Sequence, residues 1–380
     1  MRPTFPGAAP PPTRSAGAAL RPTRSGRGLL RVLFLPLAAL LLILGACSSG
    51  VPADEPDGAA EDANEQSGVE QSGETGTADD DDAASAQDEG TQEQGFPRTL
   101  DVPAGDDRPA TEVRIPAEPQ RVTALTYESA ALVAELGASE KLVMAPAEAA
   151  NPVLSNQPDV MADVEHHIAS ESAVDAEAVI ASDPDLVVFN DRHGMEEGVG
   201  RVLTEAGIPV LVLPNTFSSV SEMLTNIDLV GTALGMEQEA ADLATTLSDG
   251  LVDASDEDGP SVLVLSNQAG RPFVTAGGAF PLEVVRLAGG RDASADLGMV
   301  RSGPISAEQV LAADPDRILL VDMNGSGETI FADLLNNPAV AALPAVAEHE
   351  PFLVEGKYVQ ALGFTSTVEG RDQIATWLEQ

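Results

Sequence analysis

The chain has 380 residues and a mass of 39.2 kDa, room for one large or two medium domains, and 43% of it is hydrophobic, enough to build a core. Its 20 Lys and Arg stand against 61 Asp and Glu, a formal charge of -41 that repels a phosphate backbone and excludes nucleic acid as a partner. A single cysteine excludes an intramolecular disulfide, a cysteine-built zinc site and an iron–sulfur cluster. The first 46 residues contain Arg2, Arg14, Arg21, Arg24, Arg27 and Arg31 and no acid, and Val32 to Leu44 follows as a nearly unbroken apolar run. These are the n-region and h-region of an export signal, the run being shorter than the roughly 20 residues that span a bilayer.

The run ends in Leu44-Gly45-Ala46-Cys47-Ser48-Ser49-Gly50, small residues around the lone cysteine, and this resembles the lipobox of bacterial lipoproteins. The resemblance implies that residues 1–46 are a signal peptide and that the Cys47 thiol carries diacylglycerol at the mature N-terminus. The plainer alternative is a chance cysteine near a signal-peptidase site. Cleavage removes six arginines and no acid, leaving the remainder more acidic still. From Ser48 to about Thr111 the only large apolar residues before Leu100 are Val51, Val69 and Phe96. Such a stretch cannot offset its ordering entropy, so residues 47–111 are expected to be a disordered acidic tether. Its run Asp79-Asp80-Asp81-Asp82 reads as a solvated spacer rather than a cation site.

Regular patterns begin at Arg121-Val-Thr-Ala-Leu-Thr126, a strand, followed by a helix from Glu128 to Leu136 closed by Gly137. Leu186 to Phe189 and Val210 to Leu213 are continuous apolar runs of the kind buried on both faces of a parallel sheet. Ala176-Glu-Ala-Val-Ile-Ala-Ser-Asp-Pro-Asp185 recurs as Ala307-Glu-Gln-Val-Leu-Ala-Ala-Asp-Pro-Asp316, and each copy runs into an apolar strand. Two similar α/β lobes follow, spanning 112–217 and 257–380. Between them, in 218–256, Ser219 to Glu222 forms a capping-box pattern, Met223 to Leu234 keeps helical spacing up to Gly235, and Met236 to Ala254 predicts a further helix of about five turns. That helix is long enough to act as a strut along both lobes. The fold class is α/β, two Rossmann-like lobes joined by a long backbone helix.

In this order of lobe, helix and lobe, the region from about Pro116 to Gln380 resembles the helical-backbone class of ABC-importer substrate-binding proteins, which handle ferric siderophores, haem and cobalamin. The resemblance rests on Arg121 to Tyr127, the helix ending at Leu136-Gly137, the two Glu-x-x-x-Ala-x-Asp-Pro-Asp copies, Leu265 to Gly278, and Leu287-Ala-Gly-Gly290. It implies that Glu177 and Glu308 dock on arginines of an ABC permease dimer, which works with its ATPase. It also implies a lipid-anchored monomer on the extracytoplasmic face of a bacterial cell membrane. The alternative for either glutamate is a helix N-terminus favoured through the macrodipole.

Ligand groups are expected on loops after the strands, at the gap between the lobes. These loops hold Tyr127, His166, His167, Asn190, Arg192 and His193 in the first lobe, and Asn267, Arg271, Met299, Arg301, Met323 and Asn324 in the second; Phe364 closes the pocket. No intrinsic cofactor is expected; the ligand is an iron chelate or haem. His166 is the candidate haem ligand, but where haem-binding relatives carry a supporting Tyr and Arg this chain has Ser266-Asn267-Gln268. Arg192, Arg271, Arg301 and Tyr127 suit an oxygen-rich ferric siderophore better. Cobalamin ranks third, because 3% aromatics give little surface to grip a corrin. No hydrolase elbow, phosphate loop or His-Glu-x-x-His occurs, so an enzyme is not expected. A surface scaffold lipoprotein without a ligand is the remaining competitor.

Overall fold

The computed structural model describes residues 95–105, 108–169, 171, 174–190 and 196–380. The signal segment, Cys47, most of the tether, Arg192 and His193 lie outside them, and all described residues fall in one contact unit.

Order starts earlier than the composition suggests. Arg98–Val102 (β1) pairs antiparallel with Thr111–Ile115 (β2), so the expected tether boundary at 111 is too late. The reason lies in a short alternation: Leu100 and Val102 turn inward with Ile115, each almost fully buried. Arg98 fixes the hairpin further on, donating to Thr232 O and pairing with Glu237, both at 2.5 Å.

The first lobe is a parallel sheet of Val122–Ala124 (β3), Leu142–Pro146 (β4), His166–Ile168 (β5), Leu186–Asn190 (β6) and Val210–Leu213 (β7). Its order is β5-β4-β3-β6-β7, the doubly wound arrangement, with the topological switch between β3 and β6. The helices Tyr127–Glu135 (α1), Pro158–Ala162 (α2), Ala176–Ala181 (α3) and Glu196–Glu205 (α4) connect the strands. In β6 every residue is buried, and alternate side chains serve opposite faces: Leu186 and Val188 enter the central core, Val187 and Phe189 the outer one.

Val220–Leu234 (α5) and Glu237–Gly250 (α6) follow. Ser219 Oγ accepts from Glu222 N–H, the Glu222 carboxylate accepts from Ser218 N–H, and Gly235 closes α5 at φ 73°. The second helix stops at Gly250, short of Ala254: the chain turns at Leu251, and Ala254 N–H is taken by Leu287 O. A methyl on Gly231 would lie 2.3 Å from the Ala240 Cβ, so the two helices cross with their backbones nearly touching.

The second lobe is a mixed sheet of Ser261–Gln268 (β8), Arg271–Val274 (β9), Arg291–Asp292 (β10), Gly303–Pro304 (β11), Arg317–Asp322 (β12) and Phe352–Glu355 (β13). Its order is β11-β9-β8-β12-β13, with β10 beside β8. The hairpin β8–β9 replaces the parallel β3–β4 neighbour of the first lobe; its two turn residues, Ala269 and Gly270, both have positive φ. The helices here are Phe280–Leu287 (α7), Ala307–Ala313 (α8), Gly327–Leu335 (α9), Pro344–Ala347 (α10) and Thr365–Leu378 (α11). One central core runs from β3 and β6 through α5 and α6 to Val262 and Val264 of β8, and on to Ile374 and Trp377 of α11. Leu263 and Leu265 face the separate outer core of the second lobe.

The repeated Asp-Pro-Asp has the same role in both lobes. Asp183 and Asp314 end their helices at φ 52° and 39°, and the proline launches the strand. The second carboxylate then clamps the start of the neighbouring strand: Asp185 accepts from Gln120 and Arg121 N–H (2.8 and 2.9 Å), Asp316 from Ser261 N–H and Oγ (both 2.8 Å).

Candidate functional site

The C-terminal ends of the strands carry a similar device in each lobe. At the switch of the first lobe, Thr126 after β3 donates to Asn190 Oδ1 at the end of β6 (2.6 Å). Both are fully buried, and Asn190 Nδ2 has no hydrogen-bond partner among the described residues. In the second lobe Asn267 of β8 reaches Asp322 at the end of β12 (2.8 Å), Asn324 (2.8 Å) and Ser326 (3.2 Å), while its own oxygen accepts from Met323 N–H (2.6 Å). Burial pushes the Asp322 carboxyl up, but the donors of Asn324, Asn267, Gly327 and Gly325 outweigh it and hold the carboxyl below its ordinary value. Asn267 is therefore engaged in shaping the 322–326 turn, which differs from its expected part as a ligand group.

Between the lobes lies a cavity of about 190 Å³. Its polar lining comes from Glu128 of α1, Thr216 and Ser218 before α5, Gln268 at the end of β8, Ser302 before β11 and Gln360 before α11; Phe217, Phe280 and Leu362 form the apolar wall. None of these was a sequence candidate. Serine, threonine and glutamine are too common to signal a site by type, although Glu128 and Gln268 are each one position from a residue singled out in the sequence, Tyr127 and Asn267. A larger groove, of about 1290 Å³, is elsewhere, lined by Arg317 and Phe352 at the starts of β12 and β13 and by Trp377 of α11. It is at the opposite edge of the sheet from the cleft.

The other sequence candidates are scattered around this cleft. Tyr127 begins α1 and donates its N–H to Glu171 (2.7 Å). His166 and His167 are on β5 itself, the outermost strand, and not on a loop beyond it; both are exposed, His166 near Glu165 (3.7 Å) and His167 Nε2 3.0 Å from Met161 O. Arg271 is exposed at the start of β9, 5.3 Å above the Phe273 ring, in register opposite Gln268. Arg301 is exposed beside Ser302, and Met299 packs on the outer core. Met323 is partly buried, and its carbonyl accepts from Asn151 of the first lobe (3.3 Å). Phe364 is fully buried, edge-on to Phe217 (6.1 Å), so it belongs to the core and does not close a pocket. Among the described residues no group of acids and histidines could hold a metal ion.

Glu177 and Glu308 are both exposed in the first turn of α3 and α8. Each helix starts where the chain leaves a strand at the C-terminal edge of its sheet, so both carboxylates are on the edge that holds the cleft. The Glu308 carboxylate accepts from Ser306 Oγ (3.0 Å), whereas no contact of the Glu177 side chain occurs among the described residues.

The model of the periplasmic binding protein family matches residues 122–355, and the chain belongs to that family. It is a family of binding proteins, not of enzymes. Over 236 residues the chain is 25% identical to the uncharacterized ABC transporter substrate-binding lipoprotein YvrC of Bacillus subtilis (strain 168), covering 60% of this chain and 70% of that one. In fold it is similar to the periplasmic haem-binding protein RhuT from Roseiflexus sp. RS-1, with 21% identity and a TM-score of 0.57 over 68% of this chain and 97% of the other. It is also similar to the structure from the ABC-type Fe3+-hydroxamate transport system of Saccharomonospora viridis DSM 43017, with 21% identity and a TM-score of 0.56 over 75% and 100%.

Proposed function

We propose that this chain is the substrate-binding lipoprotein of an ABC importer, held on the extracytoplasmic face of a bacterial membrane by a lipid on Cys47. It captures an iron chelate between its lobes and hands it to a permease dimer driven by an ATPase. The observation that carries this reading is the pair Glu177 and Glu308. Of the repeated residues exposed in both lobes, Ala181/Ala312 carries no charge and Asp183/Asp314 ends its helix at positive φ, while the second Asp clamps a strand start; the glutamate is the exposed charged residue left without such a role. Two carboxylates at matching positions on related lobes give a two-point register for a two-fold partner, contributing specificity and association rate more than affinity. The name of the YvrC relative supports the class of that partner.

A ferric siderophore is the favoured ligand. Both chelate types occur among similar folds, RhuT with haem and the Saccharomonospora system with ferric hydroxamate. Here the two histidines a haem would recruit are on an exposed edge strand, outside the cavity lining. The lining instead offers hydroxyl and amide groups, which hydrogen-bond the oxygen-rich periphery of a siderophore. At about 190 Å³ the cavity is below the roughly 300–1,000 Å³ that encloses a drug-sized ligand, so only part of a chelate enters. The rest lies across the mouth, on segments that carry Arg271 and Arg301.

The test is a thermal-melt and absorption series of the chain without residues 1–46, titrated with haem, ferric hydroxamate, ferric catecholate and cobalamin. Stabilisation by a ferric siderophore is expected, because a ligand that binds only the folded state raises its stability. A Soret shift abolished by His166→Ala would move the assignment to haem, and no response to any of the four would leave a scaffold protein.

A further inference from the structure

Charged side chains avoid the interior of this protein, with one exception. Among the described residues Glu128 is the one charged residue that is buried, with 3% of its surface exposed. It stands in the first turn of α1, where the macrodipole favours an anion. That role needs no burial, since Glu177 and Glu308 occupy the first turns of α3 and α8 and are exposed. Taking a carboxylate out of water is costly unless hydrogen-bond donors meet it. Glu128 is buried at the interlobe cavity and joins its lining from the first lobe.

The groups around it are acceptors too. Gln268 and Gln360 turn their amide nitrogens to the protein, Gln268 Nε2 donating to Ser266 Oγ (3.1 Å) and Gln360 Nε2 to Met323 Sδ (3.4 Å), so that their oxygens remain to accept. The Ser302 hydroxyl is engaged with Ala276, accepting from its N–H at 3.1 Å. Among the described residues no Lys, Arg or His lines the cavity. The bases are outside it: Arg271 is in register with Gln268, Arg301 directly precedes Ser302, and both are exposed. Acid and acceptors are thus within, and arginines are at the mouth. A carboxylate accepts up to about four hydrogen bonds, so Glu128 has capacity for donors of a ligand beside those of the protein.

We propose that the cavity takes a cationic alkylammonium arm of the chelate with Glu128 as its counter-charge, so that the protein selects ferric siderophores carrying a free amine over neutral and anionic ones. This rests on the chelate reading above and narrows its ligand class. An ammonium group has N–H donors and no acceptor, which matches a lining of one carboxylate and amide oxygens. The methylenes of the arm pack on Phe217, Phe280 and Leu362. A space of about 190 Å³ suits such an arm and is too small for the iron centre. The chelating oxygens therefore stay at the mouth, where arginine donors meet them.

The experiment is calorimetric titration of the whole exported chain with two chelates that share one iron centre: ferrioxamine B, a linear hydroxamate ending in an alkylammonium, and its N-acetyl derivative, in which that charge is gone. A ferric tris-catecholate is the anionic control. Wild type is expected to bind ferrioxamine B about tenfold or more tightly than the acetylated form, as loss of a charge-assisted hydrogen bond implies. In the isosteric Glu128→Gln the two are expected to bind alike. The wild-type comparison needs no variant, so it decides the ligand class even if the substitution unfolds the chain. Equal wild-type affinities, or binding of the catecholate alone, overturn the proposal and leave the chelate reading standing. A preference that survives in a folded Glu128→Gln overturns the role of Glu128. Binding of none of these chelates removes the chelate reading and the proposal with it.

Discussion

Asn267, a binding candidate by its position at the end of β8, has a structural role that its residue type does not announce. Its side chain uses both its donors and its acceptor on Asp322, Asn324, Ser326 and Met323, holding the ends of β8 and β12 together. Asn267→Ala should lower unfolding stability by about 1–3 kcal/mol, since it leaves Met323 N–H without its acceptor and removes one of several donors to the Asp322 carboxylate. Denaturant titration reads this directly. The repeat's Asp316 makes a pH-dependent prediction. Backbone and hydroxyl hydrogen bonds from Ser261 hold its carboxyl below the ordinary 3.8. Its stabilisation is therefore present above that value and lost as pH falls through the depressed one. The stability advantage of wild type over Asp316→Asn should shrink on acidification through this range, as followed by melts from pH 6 to pH 2.5; a constant gap would contradict the assignment.

At the scale of elements, the helices and strands with strong local signals are where the sequence places them. The β7 run, the Ser219 cap, the Gly235 stop of α5 and both Asp-Pro-Asp turns each depend on contacts within a few residues, so pattern alone finds them. Three features were not legible. The strand β1 is five residues long and gains its stability from Ile115 and from Arg98 on the α5–α6 corner, contacts remote in sequence. The end of α6 is set by Leu287 O capturing Ala254 N–H, again from a distance. The crossing of α5 on α6 depends on a glycine that periodicity treats as neutral. Gly231→Ala should destabilise the protein by about 1–3 kcal/mol through overpacking at Ala240, although alanine is the better helix former. A variant as stable as wild type would show that the helices separate easily.

For the whole molecule, one core continuous through both lobes and the hydrogen bonds of Asn156 to Gly363 and Ser366 oppose large lobe motion, which suits capture of the proposed ligand in a cleft that is largely preformed. The site was legible only in outline. Topology points to the strand ends at the switch, but the cavity lining is supplied by Gln268, Ser302, Gln360 and Glu128, whose convergence depends on how the lobes face each other. Delivery adds its own expectation: replacing Glu177 and Glu308 together by Ala should leave chelate affinity unchanged and abolish stimulation of the permease-coupled ATPase in reconstituted vesicles. Loss of affinity instead would assign these residues to the fold.

The cleft itself is tested most directly by blocking it. A ferric siderophore that stabilises the wild type is titrated calorimetrically into Ser302→Trp, which fills the interlobe cavity, and into Thr376→Trp, which fills the larger groove beside Trp377. The account predicts that binding is lost in the first and retained in the second, with both variants folded. Binding retained in Ser302→Trp and lost in Thr376→Trp would contradict it and move the ligand to the outer groove.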